Sequence, residues 1–187
     1  MHSEDNHITL LKIKEHEKEI LRASKLFAVN SLYLKAIIYT ERTLNYNWED
    51  EALDEIIARS GLNSSLGFCQ VKMKTAYWIE FQLNNSQNEF YPGDKYKGIL
   101  SLSKSPEEII SKLKDDSLNI LYAAAYLRIF QSYWGKSGFP IDMSPGILGT
   151  LYSSGPYDSE GKLRKPNRGP KPNYFGRKTM EALESLQ

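Results

Sequence analysis

An all-α, α-dominated fold in one domain is what this sequence predicts, and three observations carry the prediction. Helical periodicity dominates, with apolar residues recurring at three- and four-residue steps. Helix start and stop signals flank several of the periodic runs. No internal repeat or second domain interrupts them, and 187 residues suffice for one domain with its own core. The predicted division is a single domain over 1–187, made of a helical extension at 1–30 and the domain proper at 31–187.

Leu10, Ile13, Glu17, Ile20, Leu21, Ser24 and Phe27 trace one face of a first amphipathic helix. Asn30-Ser31 offers a cap for a more apolar helix from Leu32 to about Leu44, expected at the centre and buried on most sides. Trp48 to Arg59 reads as a short acidic helix with Leu53, Ile56 and Ile57 inward, and Gly61 stands where a C′ glycine would. Gly61 to Gly67 is turn chemistry, after which Gln70 to Leu83 is helical again. From Asn84 to Ser103, Asn, Ser, Gly and Tyr abound without a sustained period, which predicts a loop or lid with room for a short β element near 84–103. Ser105-Pro106-Glu107-Glu108 starts a helix to about Lys114: a cap, a proline at the first position, then acids at the positive end of the dipole. The next, Leu118 to Trp134, carries Ala123, Ala124 and Ala125, small residues that let helices approach closely. Pro145 to Tyr152 and Tyr174 to Leu186 form the last two helices, joined by a linker rich in Gly, Pro and Lys.

Apolar and charged residues make up 41% and 25% of the chain, the balance of an ordinary soluble globule. The net charge of +1 hides a local asymmetry. Between Gly161 and Lys178 stand Lys162, Arg164, Lys165, Arg168, Lys171, Arg177 and Lys178 with no acid. Such a stripe reads either as an anion-binding patch or as a solvated loop. Cys69 is the only cysteine, which excludes an intrachain disulfide and a cysteine zinc cluster. His2, His7 and His16 all lie in the N-terminal segment and suggest neither a Cys–His nucleophile nor a metal site, so no cofactor is expected. No apolar run approaches the ~20 residues of a membrane span. The opening MHSEDNHITLLKIKEHEKEI lacks a basic region followed by an apolar one, so no signal peptide is read there.

Four segments carry the chemistry. In AIIYTERTLNYN, Glu41 follows an apolar helical run, where partial desolvation is expected to disfavour its charged form. A glycosidase needs a carboxylic acid still protonated near neutral pH. In SSLGFCQVKMKTA, Gly67 permits a close backbone approach or a turn with positive φ, and Gln70 brings an amide donor and acceptor. An amide-and-backbone ledge of this kind suits the N-acetyl group of an amino sugar. NILYAAAYLRIF by itself is a core helix, and in GTLYSSGP Tyr152 ends a helix before a small-residue turn. Taken singly, a surface glutamate and a core tyrosine are the commoner explanations of such residues.

In order and spacing these segments resemble the soluble lytic transglycosylase and goose-type lysozyme group. There, a helix ends in a catalytic Glu, a serine-and-glycine turn leads to G-L-M-Q-[IVL]-x-P-x-T-A, a helix carries N-[IL]-x-x-[AG]-A-x-Y-L, and A-Y-N-A-G-P follows. Here Glu41-Arg42-Thr43-Leu44-Asn45, then Gly67-Phe68-Cys69-Gln70-Val71 with Thr75-Ala76, Asn119-Ile120 through Ala125-Tyr126-Leu127, and Tyr152-Ser153-Ser154-Gly155-Pro156 take those places. Asn173-Tyr174 matches the tyrosine that often precedes the group's last helix. The resemblance spans roughly 32–183 and implies a lysozyme-like domain with 31–187 as its catalytic core.

It further implies that Glu41 is general acid and then general base, that Tyr152 holds and orients Glu41, and that Gln70 with the Gly67–Phe68 backbone binds the sugar beside the scissile bond. Ser65 falls near the group's serine-bearing turn, within reach of the Glu41 carboxyl. The substrate implied is peptidoglycan, cut between N-acetylmuramic acid and N-acetylglucosamine, with chitin left open. The compartment implied is the bacterial cell wall, periplasmic or extracellular. Three departures stand out: Arg42 replaces the usual serine, the stretch between Glu41 and Ser64 is longer than the pattern's, and Lys74 precedes Thr75 where the proline is absent. A two-carboxylate hydrolase needs a partner at roughly 5–5.5 or 6.5–9.5 Å, for which Glu49, Asp50, Glu51 and Asp54 are nearest in sequence. With one secure carboxylate, substrate assistance is favoured: Glu41 deprotonates the sugar's own C6 hydroxyl, giving an anhydro end, in preference to a water. Two rivals rank below this: a catalytically inactive glycan-binding module on the same fold, and a nucleic-acid-binding helical domain. The second lacks any recognition-helix pattern. No protein partner is inferred.

Overall fold

The computed structural model describes residues 5–44 and 65–186. Among them run α1 (Asn6–Glu15), α2 (Glu17–Phe27), α3 (Ser31–Leu44), β1 (Ser65–Leu66), β2 (Val71–Lys72), α4 (Met73–Asn84), a 3-10 turn (Asp94–Tyr96), α5 (Pro106–Lys114), α6 (Asp116–Lys136), α7 (Pro145–Ser154) and α8 (Tyr174–Ser185). The architecture is a helix-dominated single domain with one short β element, as the periodicity predicts. That element lies at 65–72 and not at 84–103: β1 and β2 pair antiparallel, with Ser65 opposite Lys72 and Leu66 opposite Val71.

Local chemistry explains most boundaries. Asn30 Oδ1 accepts from the amides of Leu32 (2.9 Å) and Tyr33 (3.2 Å), capping α3. Ser105 Oγ accepts from Glu108 N at 3.3 Å, while the Glu108 carboxylate reaches back to Lys104 N at 2.9 Å. Asp115 caps α6 through Leu118 N at 2.9 Å, and Asn173 caps α8 through Gly176 N at 2.8 Å. The single N-terminal helix of the periodicity is two helices parted at His16. His16 packs tilted against the Phe68 ring at 4.4 Å and lies 3.5 Å from Asp116, contacts that no local pattern encodes. The predicted acidic helix at 48–59 lies outside the described residues.

The enclosed helix is α6, not α3. Every residue from Asn119 to Leu127 in α6 is buried, whereas α3 buries Leu34, Ala36, Ile37, Ile38, Thr40 and Arg42. A helix apolar on all sides belongs inside, and α6 is packed by α2, α4, α5 and α7. The N-terminal pair is integral to this core, because Ile13, Ile20, Ala23 and Phe27 join its cluster. At the C-terminal end α7 and α8 meet backbone to backbone. A Cβ at Gly176 would lie 2.1 Å from Gly146 O, so only glycine permits that approach.

The stretch 84–103 is no lid. Phe90, Tyr91, Tyr96 and Leu100 are buried, and Phe90 packs on Trp78 and Tyr133. Its far end is locked by a buried carboxylate. Glu80, on α4, accepts from Ser103 N (2.6 Å), Ser103 Oγ (2.8 Å), Lys112 Nζ (3.2 Å) and the Tyr122 hydroxyl. Burial first, and then the bond to Glu80, raise the Tyr122 phenol far above its ordinary range. Lys112 bonds Ser101 O at 2.8 Å as well, so one ion pair ties α4, α5, α6 and the loop together. Removing the Glu80 carboxylate leaves the buried Tyr122 hydroxyl and the Ser103 N–H and O–H without their acceptor, while Lys112 keeps Glu108 at 3.1 Å. Glu80→Ala is therefore expected to lose about 3–5 kcal/mol of stability in urea denaturation, while a distant surface change such as Glu184→Ala stays within about 0.5 kcal/mol.

Candidate functional site

A cleft of about 440 Å³ opens between α3, the β1–β2 turn, α6 and the end of α7. Its walls carry Glu41, Ser65, Gln70, Val71, Lys72, Thr75, Tyr126, Tyr152, Ser153, Ser154 and Gly155. Glu41 is supplied by the last turn of α3 and is partly buried. Its sequence neighbour Arg42 turns the other way and is 3% exposed.

The turn from Leu66 to Gln70 is held by three groups outside it. Asn119, fully buried on α6, accepts from Cys69 N at 2.7 Å and donates through Nδ2 to Leu66 O (3.0 Å) and Leu113 O (2.8 Å). Arg42 Nη1 donates to Phe68 O at 3.0 Å, and its guanidinium lies 4.9 Å over the Phe68 ring. The Tyr152 hydroxyl donates to Cys69 O at 2.7 Å. Gly67 is required by contact as well as by φ: at +72°, a Cβ there would meet Leu113 O at 2.1 Å and Asn119 Nδ2 at 2.5 Å. Gln70 is itself left-handed (φ +53°) and is stabilised by bonds from its N (3.1 Å) and Nε2 (3.0 Å) to Gly67 O. One amide N–H of Gln70 is thus spent on the turn, leaving the second and the amide oxygen for a ligand.

The structure brings four of the six predicted site residues to one cleft: Glu41, Ser65, Gln70 and Tyr152. Gly67 and Phe68 stand outside it. The Gly67 carbonyl is taken by Gln70, the Phe68 carbonyl by Arg42, and the Phe68 side chain is 5% exposed beneath that guanidinium. These two shape the ledge from behind. The role expected of Tyr152 also changes in form. Its single proton goes to Cys69 O, so Tyr152 props the turn and shares the cleft wall with Glu41. Burial first, then electrostatic coupling to Cys69 and Glu41, holds its phenol well above the usual range, which keeps it a neutral donor.

Lys72, Thr75, Tyr126, Ser153 and Ser154 are wall residues that the motif reading did not single out. All five lie inside the four motif segments, so strand and helix geometry is the missing information. Asn119 had a usable signal: an amide inside an apolar helical run must find partners when buried. Cys69 is fully buried, and burial pushes its thiol up, which suits a packed thiol and not a nucleophile. Among the described residues, no group of three or more His, Cys, Asp or Glu is placed to hold a metal ion, and no helix is long and apolar enough to cross a membrane. No family model matches the chain, and neither a curated protein nor a solved structure does.

Tyr152→Phe should separate scaffold from chemistry. It leaves the buried Cys69 carbonyl without its donor, which costs about 1–3 kcal/mol. Because the folded phenol titrates above the unfolded one, its contribution is complete below about pH 10 and is lost as pH rises through the folded value. Denaturation at pH 7 should therefore show the full loss, shrinking above pH 10. An equal loss at both pH values would show that the folded phenol does not titrate above the unfolded one.

Proposed function

We propose that the protein cleaves the glycan strands of bacterial peptidoglycan between N-acetylmuramic acid and N-acetylglucosamine, acting as a lytic transglycosylase with Glu41 as general acid and base. The observation that carries this reading is the meeting of Glu41, Ser65, Gln70 and Tyr152 on one open cleft. They come from three separate segments, α3, the β1–β2 hairpin and α7, and their shared wall is what supports the reading.

The walls fit an amino sugar. Gln70 offers an amide donor and acceptor, Ser65, Thr75, Ser153 and Ser154 offer hydroxyls, and Tyr126 and Tyr152 give aromatic faces that pack edge to face at 5.7 Å. Among the described residues of the wall, Glu41 is the single carboxylate. A second carboxylate is what a direct hydrolase requires. Substrate assistance asks less of the protein: the muramoyl N-acetyl carbonyl supports the positive charge developing at C1. Glu41 first gives its proton to the leaving glycosidic oxygen. It then takes the proton of the C6 hydroxyl as that oxygen closes on C1, forming the 1,6-anhydro ring. Glu49, Asp50, Glu51 and Asp54, the acids weighed as partners, lie outside the described residues.

Glu41→Gln should fold as the parent does and release soluble muropeptides about 10²–10⁴ times more slowly. Parent-like turbidity clearance of sacculi by that variant would remove Glu41 from the mechanism. Mass spectrometry of the parent's digest is expected to show muramoyl ends about 18 Da lighter than reducing ends, the mass of the water that hydrolysis would have added at C1, at roughly one per strand cut. Reducing ends alone would move the protein to the hydrolases.

A further inference from the structure

The basic stripe of the sequence turns out to be an arm attached to the cleft at both ends. It leaves the rim at Gly155 and returns at Asn173, whose Nδ2 donates to Ser153 Oγ (3.1 Å) and Ser154 Oγ (3.0 Å), both cleft residues. Asn173 N also donates to Thr150 Oγ1 at 2.9 Å. The outgoing part is folded on itself. Tyr157 and Leu163 form an antiparallel bridge, Arg164 N donates to Pro156 O at 2.8 Å, and the Asp158 carboxylate closes the tip through Glu160 N and Lys162 N.

Its charges are left outward. Lys162, Lys165, Arg168 and Lys171 are exposed and form no ion pair among the described residues. Arg164 spends Nε on Tyr157 O at 3.1 Å, a neutral acceptor that leaves its charge uncompensated. Asp158 and Glu160 are the acids of the arm, and Asp158 is turned onto backbone amides. Lys72 on the cleft wall, exposed and likewise without an ion pair, continues the positive surface inward. Tyr157 and Tyr174, 46% and 58% exposed, flank the arm and offer flat faces to sugar rings.

We infer that this arm is a strand-holding surface, binding the carboxylates of peptide stems on the length of glycan that runs out of the cleft. The inference rests on the reading of the cleft as a peptidoglycan site. Continuity with the cleft favours the strand itself over a separate polyanion. A strand leaving past Ser153–Gly155 passes directly onto the arm, and carboxylate stems are the anions it carries.

The test uses full-length Glu41→Gln protein and sacculi freed of phosphodiester polymers, with the bound fraction measured by co-sedimentation across a rising salt series. Exposed charges are screened by salt, so binding should fall as salt rises. Replacing Lys162, Lys165, Arg168 and Lys171 together by Gln should weaken it about tenfold or more at low salt and flatten the salt dependence. The charge-preserving set K162R, K165R, R168K and K171R should bind as the parent does. Undiminished binding by the Gln set overturns the inference. So does binding that appears only when phosphodiester polymer is left on the sacculi, or that duplex DNA displaces more effectively than soluble muropeptide strands. Glycan release by the wild-type protein is scored separately. Arm-dependent binding without release sinks the enzymatic reading and keeps the arm, whereas release with arm-independent binding does the reverse.

Discussion

The side chain of Asn119 is the constraint on which the candidate site depends. A buried primary amide in the middle of an apolar helix is costly unless its hydrogen-bonding groups are used. Here the oxygen takes Cys69 N, and Nδ2 serves both Leu66 O and Leu113 O. Those three backbone groups belong to the cleft turn and to the end of α5. The turn could not sit so deep without them, because its own polar backbone would be left unpaired. Gly67 is the other half of the same fit, since any side chain there would occupy the space where Asn119 meets Leu113.

Two buried polar networks thus hang from α6, and they do different work. On one side Tyr122 donates to Glu80, which also accepts from Lys112 and Ser103, fixing α4, α5 and the 84–103 loop. On the other, Asn119 presents the turn to Arg42 and Tyr152. No member of the first network lines the cleft, and it reads as stability alone. The second fixes the backbone that carries Gln70, so its rigidity is inherited by the wall that would meet a ligand. Arg42, which replaces the serine expected from the resemblance, belongs to this second network. Its charge serves the Phe68 carbonyl and ring, away from the cleft.

Much of the fold was legible because its signals are local. Asn30, Ser105 and Asn173 are caps whose partners lie two or three residues away, and α3, α5 and α8 begin where those caps place them. The elements that escaped depend on distant partners. The break at His16 answers to Phe68 and Asp116, and the burial of 84–103 answers to Trp78, Tyr133 and Glu80. Within the site, the motif segments located the cleft, but spacing alone could not say which way a residue faces. Phe68 and Gln70 are two apart in one turn, and the structure directs only the second to the opening. The positive φ of Gln70 is the cause, and no residue preference announces it, since glutamine seldom adopts that conformation.

The bond from Tyr152 to Cys69 O bears on how the proposed chemistry would be shared out. A phenol has one proton, and here it is committed to the backbone, so Tyr152 has none to relay to Glu41. An ionised phenol is equally disfavoured, because burial and electrostatic coupling to its neighbours push its titration upward. In the proposed reaction, both proton transfers therefore fall to Glu41. The tyrosine keeps Gln70 and the turn at a fixed distance from that carboxylate. A single group that gives a proton and then receives one must face the leaving oxygen and the C6 hydroxyl in turn without moving far. A rigid far wall to position the sugar would meet that demand, and the bonds of Asn119, Arg42 and Tyr152 hold such a wall in place.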